Sequence, residues 1–209
     1  MARWLARQFA RPEGVVGRRL IAPWLNRISR RMNRLTLDQL RVGPGDDVLE
    51  VGFGGGALLA DLLEATRGRV IGVDVSEAMV KRARRRFRTA ERLDLHEASV
   101  EALPLAEASV DRACSVNNLY FWPDPAMALR ELARVIRPGG RLALAFEPPE
   151  ELRKYPGHRF GFRLFEEAEV RLLMEEAGFG HIRRAEGRGR KPDFFLCLTG
   201  ERRAPEAAS

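Results

Sequence analysis

Residues Asp47–Leu58, DVLEVGFGGGAL, change pattern abruptly at their middle. Val48, Leu49 and Val51 make a short apolar run suited to a buried strand, and Gly52, Gly54, Gly55 and Gly56 break it. Beyond them Ala57, Leu58, Leu59, Leu62 and Leu63 recur at helical spacing. The pattern predicts a strand that turns through bare backbone into a helix, with the first helical amides facing a ligand. Glu50 stands inside the apolar strand, where a charge is costly to bury unless a cationic or hydrogen-bonding ligand group meets it.

Downstream the chain alternates strand and helix, which implies a parallel sheet with right-handed crossovers. Expected strands are Arg69–Val73, Arg92–Ala98, Val110–Val116 and Arg141–Phe146. Asp74 closes the second strand, and Ser76 is expected to cap a helix from Glu77 to about Arg88. Asp124 and Pro125 open a helix that reaches Ile136, and Arg137–Gly140 reads as a tight turn into the next strand. A polar, proline-containing stretch from Glu147 to Arg163 precedes a helix from about Glu166 to Ala177, stopped at Gly178. Two closing strands, His181–Glu186 and Asp193–Thr199, have a short connection and are expected to pair antiparallel.

Upstream, residues 1 to 41 read as two helices parted near Pro12, Gly14 and Gly17. In the first, Trp4, Leu5, Gln8 and Phe9 oppose Arg3, Arg7 and Arg11, a basic amphipathic pattern that suits a cover packed on the domain or an anionic lipid surface. The second, Pro23–Leu40, gathers Leu25, Ile28, Met32, Leu35 and Leu40 near one side and ends at Gly43-Pro44-Gly45. The organisation expected is a basic helical segment over 1–43, one domain over 44–200 and a frayed tail over 201–209.

At 209 residues with 45% hydrophobic content, the chain suits one globular domain. Its net charge of +7 sits at one end: residues 1–41 hold ten arginines against Glu13 and Asp38, whereas the remainder carries 26 basic and 27 acidic groups. That distribution leaves nucleic acid or an anionic membrane as a partner of the first segment only, and not the favoured one. Arginines interrupt the first eleven residues and no apolar run nears the roughly 20 of a membrane span, so a cytoplasmic protein is expected. Cys114 and Cys197 lie in expected strands as buried thiols. His96, His158 and His181 lack ligand spacing, and no metal is expected.

Gly52, Gly54 and Ala57 satisfy a dinucleotide pattern, so glycine spacing by itself leaves a nicotinamide oxidoreductase open. Asp74, 22 residues after Gly52, stands where a carboxylate accepts hydrogen bonds from ribose hydroxyls. The combination of VLEVGFGGG, VIGVDVSEAMVKRA, ASVEALPLAEASVD and ELARVIRPGGRLAL, in that order, resembles the class I S-adenosylmethionine-dependent methyltransferases, specifically the small methyltransferase-domain family. The resemblance implies a Rossmann-like α/β fold, a doubly wound seven-stranded mostly parallel sheet with an antiparallel last strand, plus the N-terminal helical cover. It implies S-adenosylmethionine as cofactor, with Asp74 on the ribose and the turn of Gly52, Phe53, Gly54 and Gly56 on the methionine part. It also implies Glu50 at the amino-acid end and Val75 and Met79 beside the adenine.

Where the family commonly has an aspartate for the adenine amine, this chain has Ser99, leaving that task to Ser99 and the Val100 amide. A regulatory domain that binds cofactor without turnover is therefore a further class. Asn117 is expected on the cofactor carboxylate or the acceptor. Asn117, Tyr120 and His158 are the acceptor-side candidates, with Phe121 and Trp122 as aromatic wall or core. The loop Glu147–Phe165, with Tyr155, His158 and Phe160, and the N-terminal helices with Trp4 and Trp24 are candidate lids. The leading function is methyl transfer to a small, partly apolar molecule, with nucleic acid or a lipid-linked substrate as the alternative acceptor.

Overall fold

The computed structural model describes residues 22–159, 162–189 and 193–204. The first expected helix, Trp4, Phe160 and the end of the tail lie outside them, as does the side chain of Trp24. Seven strands form one sheet in the order β3-β2-β1-β4-β5-β7-β6. They are β1 (Val48–Val51), β2 (Val70–Asp74), β3 (Leu93–Glu97), β4 (Val110–Val116), β5 (Ile136–Phe146), β6 (Phe179–Arg188) and β7 (Phe194–Arg202). β7 pairs antiparallel with β5 and β6, and the pairings among β1 to β5 are parallel. The doubly wound sheet with an antiparallel last strand is thus the architecture found.

Side-chain alternation divides the core between the two faces of the sheet. Leu49, Ile71, Ala113, Leu142 and Leu198 point to one face, where they meet Leu129 and Leu132 of α4 (Pro125–Val135) and Val170 and Met174 of α5 (Glu167–Glu176). Val48, Val70, Cys114, Ala143 and Cys197 point to the other. There they meet Met32 and Leu40 of α1 (Ala22–Leu40), Leu58 and Leu62 of α2 (Ala57–Ala65) and Met79 of α3 (Glu77–Arg86). Both cysteines are free and buried on that face. α1 packs on β4, β5 and β7 as a cover over that face of the sheet.

From β1 the chain steps outward to β2 and β3, then returns across β1 to place β4 on its other side. The ends of β1 and β4 therefore flank a topological switch point, where open α/β sheets form a crevice.

Several element boundaries differ from expectation for local reasons. β5 begins at Ile136, before the expected turn: Val110 pairs with Ile136 and Arg112 with Arg141, so the intervening residues bulge from the ladder. Gly139, at φ 79, supplies the left-handed backbone that the bulge requires. β7 takes in Glu201 and Arg202, two residues read as tail, because Arg141 holds Glu201 at 2.6 Å across the β5–β7 pair. Among the described residues no helix is long and apolar enough to cross a membrane. None of their His, Cys, Asp and Glu side chains cluster as a metal site.

Candidate functional site

The crevice at the switch point is a cleft with a cavity volume of about 200 Å3. One end is built by the turns after β1 and β2. Gly52 and Gly54 take φ 74 and 49, opening the backbone toward the cleft, and Gly56 at φ 69 starts α2. Asp74 holds the two turns together: its Oδ2 accepts from the Gly54 amide and its Oδ1 from the Ser76 amide, each at 2.9 Å. Ser76 occupies the N-cap of α3 but makes no side-chain cap bond, so capping by its hydroxyl is not realised.

Glu50 is 4% exposed on the face shared with α2, and its Oε2 has no hydrogen-bond partner among the described residues. Burial pushes its carboxyl up to about 8, and repulsion from Asp74 and Asp61 adds to the shift. An acidic group so placed favours a cation, which would both neutralise and hydrogen-bond it. Val75 lines the same end with 45% of its surface exposed, an apolar ledge beside the buried Met79. Ser99 and Val100 line the far wall, where the Ser99 hydroxyl accepts the Glu101 amide at 3.3 Å.

The opposite end is aromatic. Tyr120, Phe121 and Trp122 follow β4, and Leu152, Tyr155 and Phe162 approach from the segment after β5. Trp122 is 4% exposed and serves core and cleft at once, donating its Nε1–H to Asn118 Oδ1 at 2.8 Å. Asn117, at φ 53, donates to Ser29 Oγ of α1 at 3.4 Å and accepts from the Tyr120 hydroxyl at 3.2 Å. That hydroxyl also accepts the Glu147 amide, so Tyr120 braces the ends of β4 and β5. Its one proton is committed to Asn117, and burial holds its phenol well above the ordinary tyrosine range.

Glu50, Gly52, Phe53, Gly54, Asp74, Val75, Met79, Ser99, Val100 and Asn117 therefore all line one cleft. Gly56 does not. Its amide donates to the Phe53 carbonyl and its carbonyl accepts from Arg86, which makes it a turn residue. His158 is also outside the lining, its Nδ1 turned 2.7 Å from the Tyr155 carbonyl oxygen. Asn118, Glu147, Ser29 and Asn33 line the cleft without having been singled out. Asn118 and Glu147 each follow the end of an apolar strand, the same signal that marked Asp74.

The turn glycines give a paired prediction. A Cβ on Gly52 would lie 1.6 Å from Asn118 Nδ2, whereas one on Gly54 would meet nothing within 4 Å. Gly52→Ala must displace Asn118 and with it the Trp122 bond, in addition to the left-handed strain of about 1–2 kcal/mol shared by both variants. Thermal melting should fall further for Gly52→Ala than for Gly54→Ala by roughly 4 °C or more, given a shift of about 2–4 °C per kcal/mol at this chain length. Equal melting temperatures would exclude the Asn118 contact as a constraint.

Comparison with known proteins identifies the family and the fold. The profile of the methyltransferase-domain family matches residues 49–144. The uncharacterized methyltransferase YdaC of Bacillus subtilis is 31% identical over 175 residues, 83% of this chain and 92% of its own. The ubiquinone/menaquinone biosynthesis C-methyltransferase UbiE of Syntrophotalea carbinolica is 30% identical over 75% of this chain and 78% of its own. Other curated methyltransferases are matched over 42% to 45% of their own length. In a solved complex of the Haloferax volcanii Trm112 methyltransferase activator with a methyltransferase, one chain superposes with a TM-score of 0.77 at 21% identity. That match covers 88% of this chain and 94% of the other, a likeness of fold.

Proposed function

The chain belongs to the class I S-adenosylmethionine-dependent methyltransferases, and from that premise we propose that it methylates a small, partly apolar acceptor seated at the aromatic end of the cleft. Bound S-adenosylmethionine supplies a methyl group already activated on a sulfonium. What remains for the chain is to bind and align, and alignment of two reactants is worth roughly 7–11 kcal/mol in favourable cases.

On this reading Asp74 accepts from the ribose hydroxyls and Glu50 meets the cationic amino-acid end, directly or through water. The amides and open backbone of Gly52, Phe53 and Gly54 receive the methionine part. Val75 and Met79 pack by the adenine, with Ser99 and the Val100 amide at its polar edge. Asn117 is held by Ser29 and Tyr120 at the junction of the two ends.

The observation that carries the acceptor assignment is the continuity of the cleft: an acidic, glycine-lined end and an aromatic end share one cavity. A relative whose name places it in ubiquinone and menaquinone biosynthesis supports an apolar acceptor. Calorimetry should show S-adenosylhomocysteine binding and no comparable binding of NADH or NADPH. Release of tritiated methyl groups to an extract of small apolar metabolites should exceed transfer to RNA or liposomes. Preferred, salt-sensitive transfer to RNA or anionic liposomes would overturn the small-acceptor assignment and return weight to the ten arginines of residues 1–41.

A further inference from the structure

One buried acid of the cleft is left outside the cofactor set. Glu147 directly follows Phe146, the last residue of β5, and is 5% exposed within the cleft lining. Its Oε2 is closed off from solvent and has no hydrogen-bond partner among the described residues. Leaving a buried acceptor in that state is costly unless a ligand supplies the donor.

The surroundings hold this carboxyl in place and set its proton affinity. The Tyr120 oxygen accepts from its backbone amide and fixes it, and Tyr155 lines the cleft with it. Glu151 and Lys154 face it from the segment after β5, themselves joined at 2.8 Å. Burial pushes the Glu147 carboxyl up to about 7; the nearby Tyr155 hydroxyl and Lys154 oppose that rise and Glu151 adds to it. A group titrating near neutrality is poised to take up and release a proton under working conditions.

Position agrees with this chemistry. β2, β1, β4 and β5 lie side by side: Asp74 closes β2, Asn117 and Glu147 directly follow β4 and β5, and Glu50 lies further back on β1, level with Gly72 and Cys114. With the cofactor assigned to the β2 and β1 side, the β5 end and its aromatic walls are left to the acceptor.

We infer that Glu147 is the general base for an acceptor bearing a hydroxyl on an apolar frame, a phenol or enol held among Phe121, Tyr155 and Phe162. This rests on the small-acceptor reading above. The acceptor O–H gives its proton to Glu147 Oε2 and the oxygen's electron pair forms the bond to the methyl carbon. The sulfur–methyl bond breaks with its pair returning to sulfur, so a sulfonium and a carboxylate become a neutral thioether and a neutral acid. A neutral amine presents its lone pair without prior proton loss and has less need of such a group.

The test uses 2-naphthol and 4-phenylphenol as probes, with their methyl ethers as controls. In calorimetry with S-adenosylhomocysteine present, the wild-type protein should bind at least one of the phenols roughly tenfold or more tighter than its ether. Glu147→Gln should bind S-adenosylhomocysteine within twofold of wild type yet discriminate phenol from ether by less than threefold. Methyl transfer to that phenol should rise with pH to a plateau above about 7 in the wild type. In Glu147→Gln it should drop by roughly 100-fold or more, within the range typical of a lost general base, and lose the acidic limb. Equal binding of phenols and ethers, no binding of either phenol by protein that binds S-adenosylhomocysteine, or a Glu147→Gln rate within threefold of wild type overturns the proposal. Absence of S-adenosylhomocysteine binding overturns the underlying methyltransferase reading, and the proposal with it.

Discussion

Asp74→Ala is expected to weaken S-adenosylhomocysteine binding by roughly 100-fold or more in calorimetry. Two losses combine. On the proposed assignment the carboxylate accepts from two ribose hydroxyls, and hydrogen bonds to a charged group are worth about 1.5–3 kcal/mol each. The same carboxylate also receives the Gly54 and Ser76 amides, so its removal frees both turns that shape the cofactor end. Asp74→Asn retains one acceptor oxygen and should fall between wild type and alanine. An affinity for the alanine variant within threefold of wild type would exclude the ribose role.

Glu50→Gln should move stability and binding in opposite directions. The folded carboxyl titrates at about 8 against an ordinary 4.5, so the folded chain holds a proton that the unfolded chain gives up. That contribution to stability is fully present below about 4.5 and is lost as pH rises through about 8. Without ligand, wild-type protein should therefore lose stability over this interval, and Glu50→Gln should flatten part of the decline. At pH 8.5 the ligand-free variant should melt a few degrees above wild type. Its affinity for S-adenosylmethionine should nonetheless drop roughly 30-fold or more, since breaking a buried charge pair costs about 2–5 kcal/mol. Unchanged melting at pH 8.5 together with unchanged affinity would mean that Glu50 stays neutral and does not meet the cofactor's cation.

The sheet was legible because its strands carry their own boundaries. Val110–Val116 is bounded by two valines around Ala113 and Cys114 and coincides with β4, and Glu77, with arginines closing the last turn, marks α3. Boundaries set by partners were not. Glu201 and Arg202 join β7 because β5 and β6 offer ladders beside them, and α1 covers three strands distant in sequence. Site residues followed the same division. Glu50 and Asp74 stand out as acids against apolar strands, whereas Glu147 was absorbed into a polar, proline-containing stretch. Residue type did not foretell that the His158 ring turns to the Tyr155 carbonyl, or that the positive φ of Gly56 serves the start of α2. The two roles of Tyr120, a strut between Asn117 and the Glu147 amide, depend on the closeness of β4 and β5.

The placement of β7 between β5 and β6 also bears on how the chain reaches its fold. As synthesis proceeds β6 emerges first, yet among the described residues its only neighbour in the sheet is β7, so its backbone groups must wait for that strand. The hairpin of β6 and β7 then has to dock on β5 as a unit, burying Leu196 and Leu198 on one face and Phe195 and Cys197 on the other. Until that happens β5 presents an apolar open edge, the kind of surface through which nascent chains associate with one another. Kinetic vulnerability should therefore concentrate at this seam, with aggregation during expression rising when β7 is weakened even by substitutions far from the cleft.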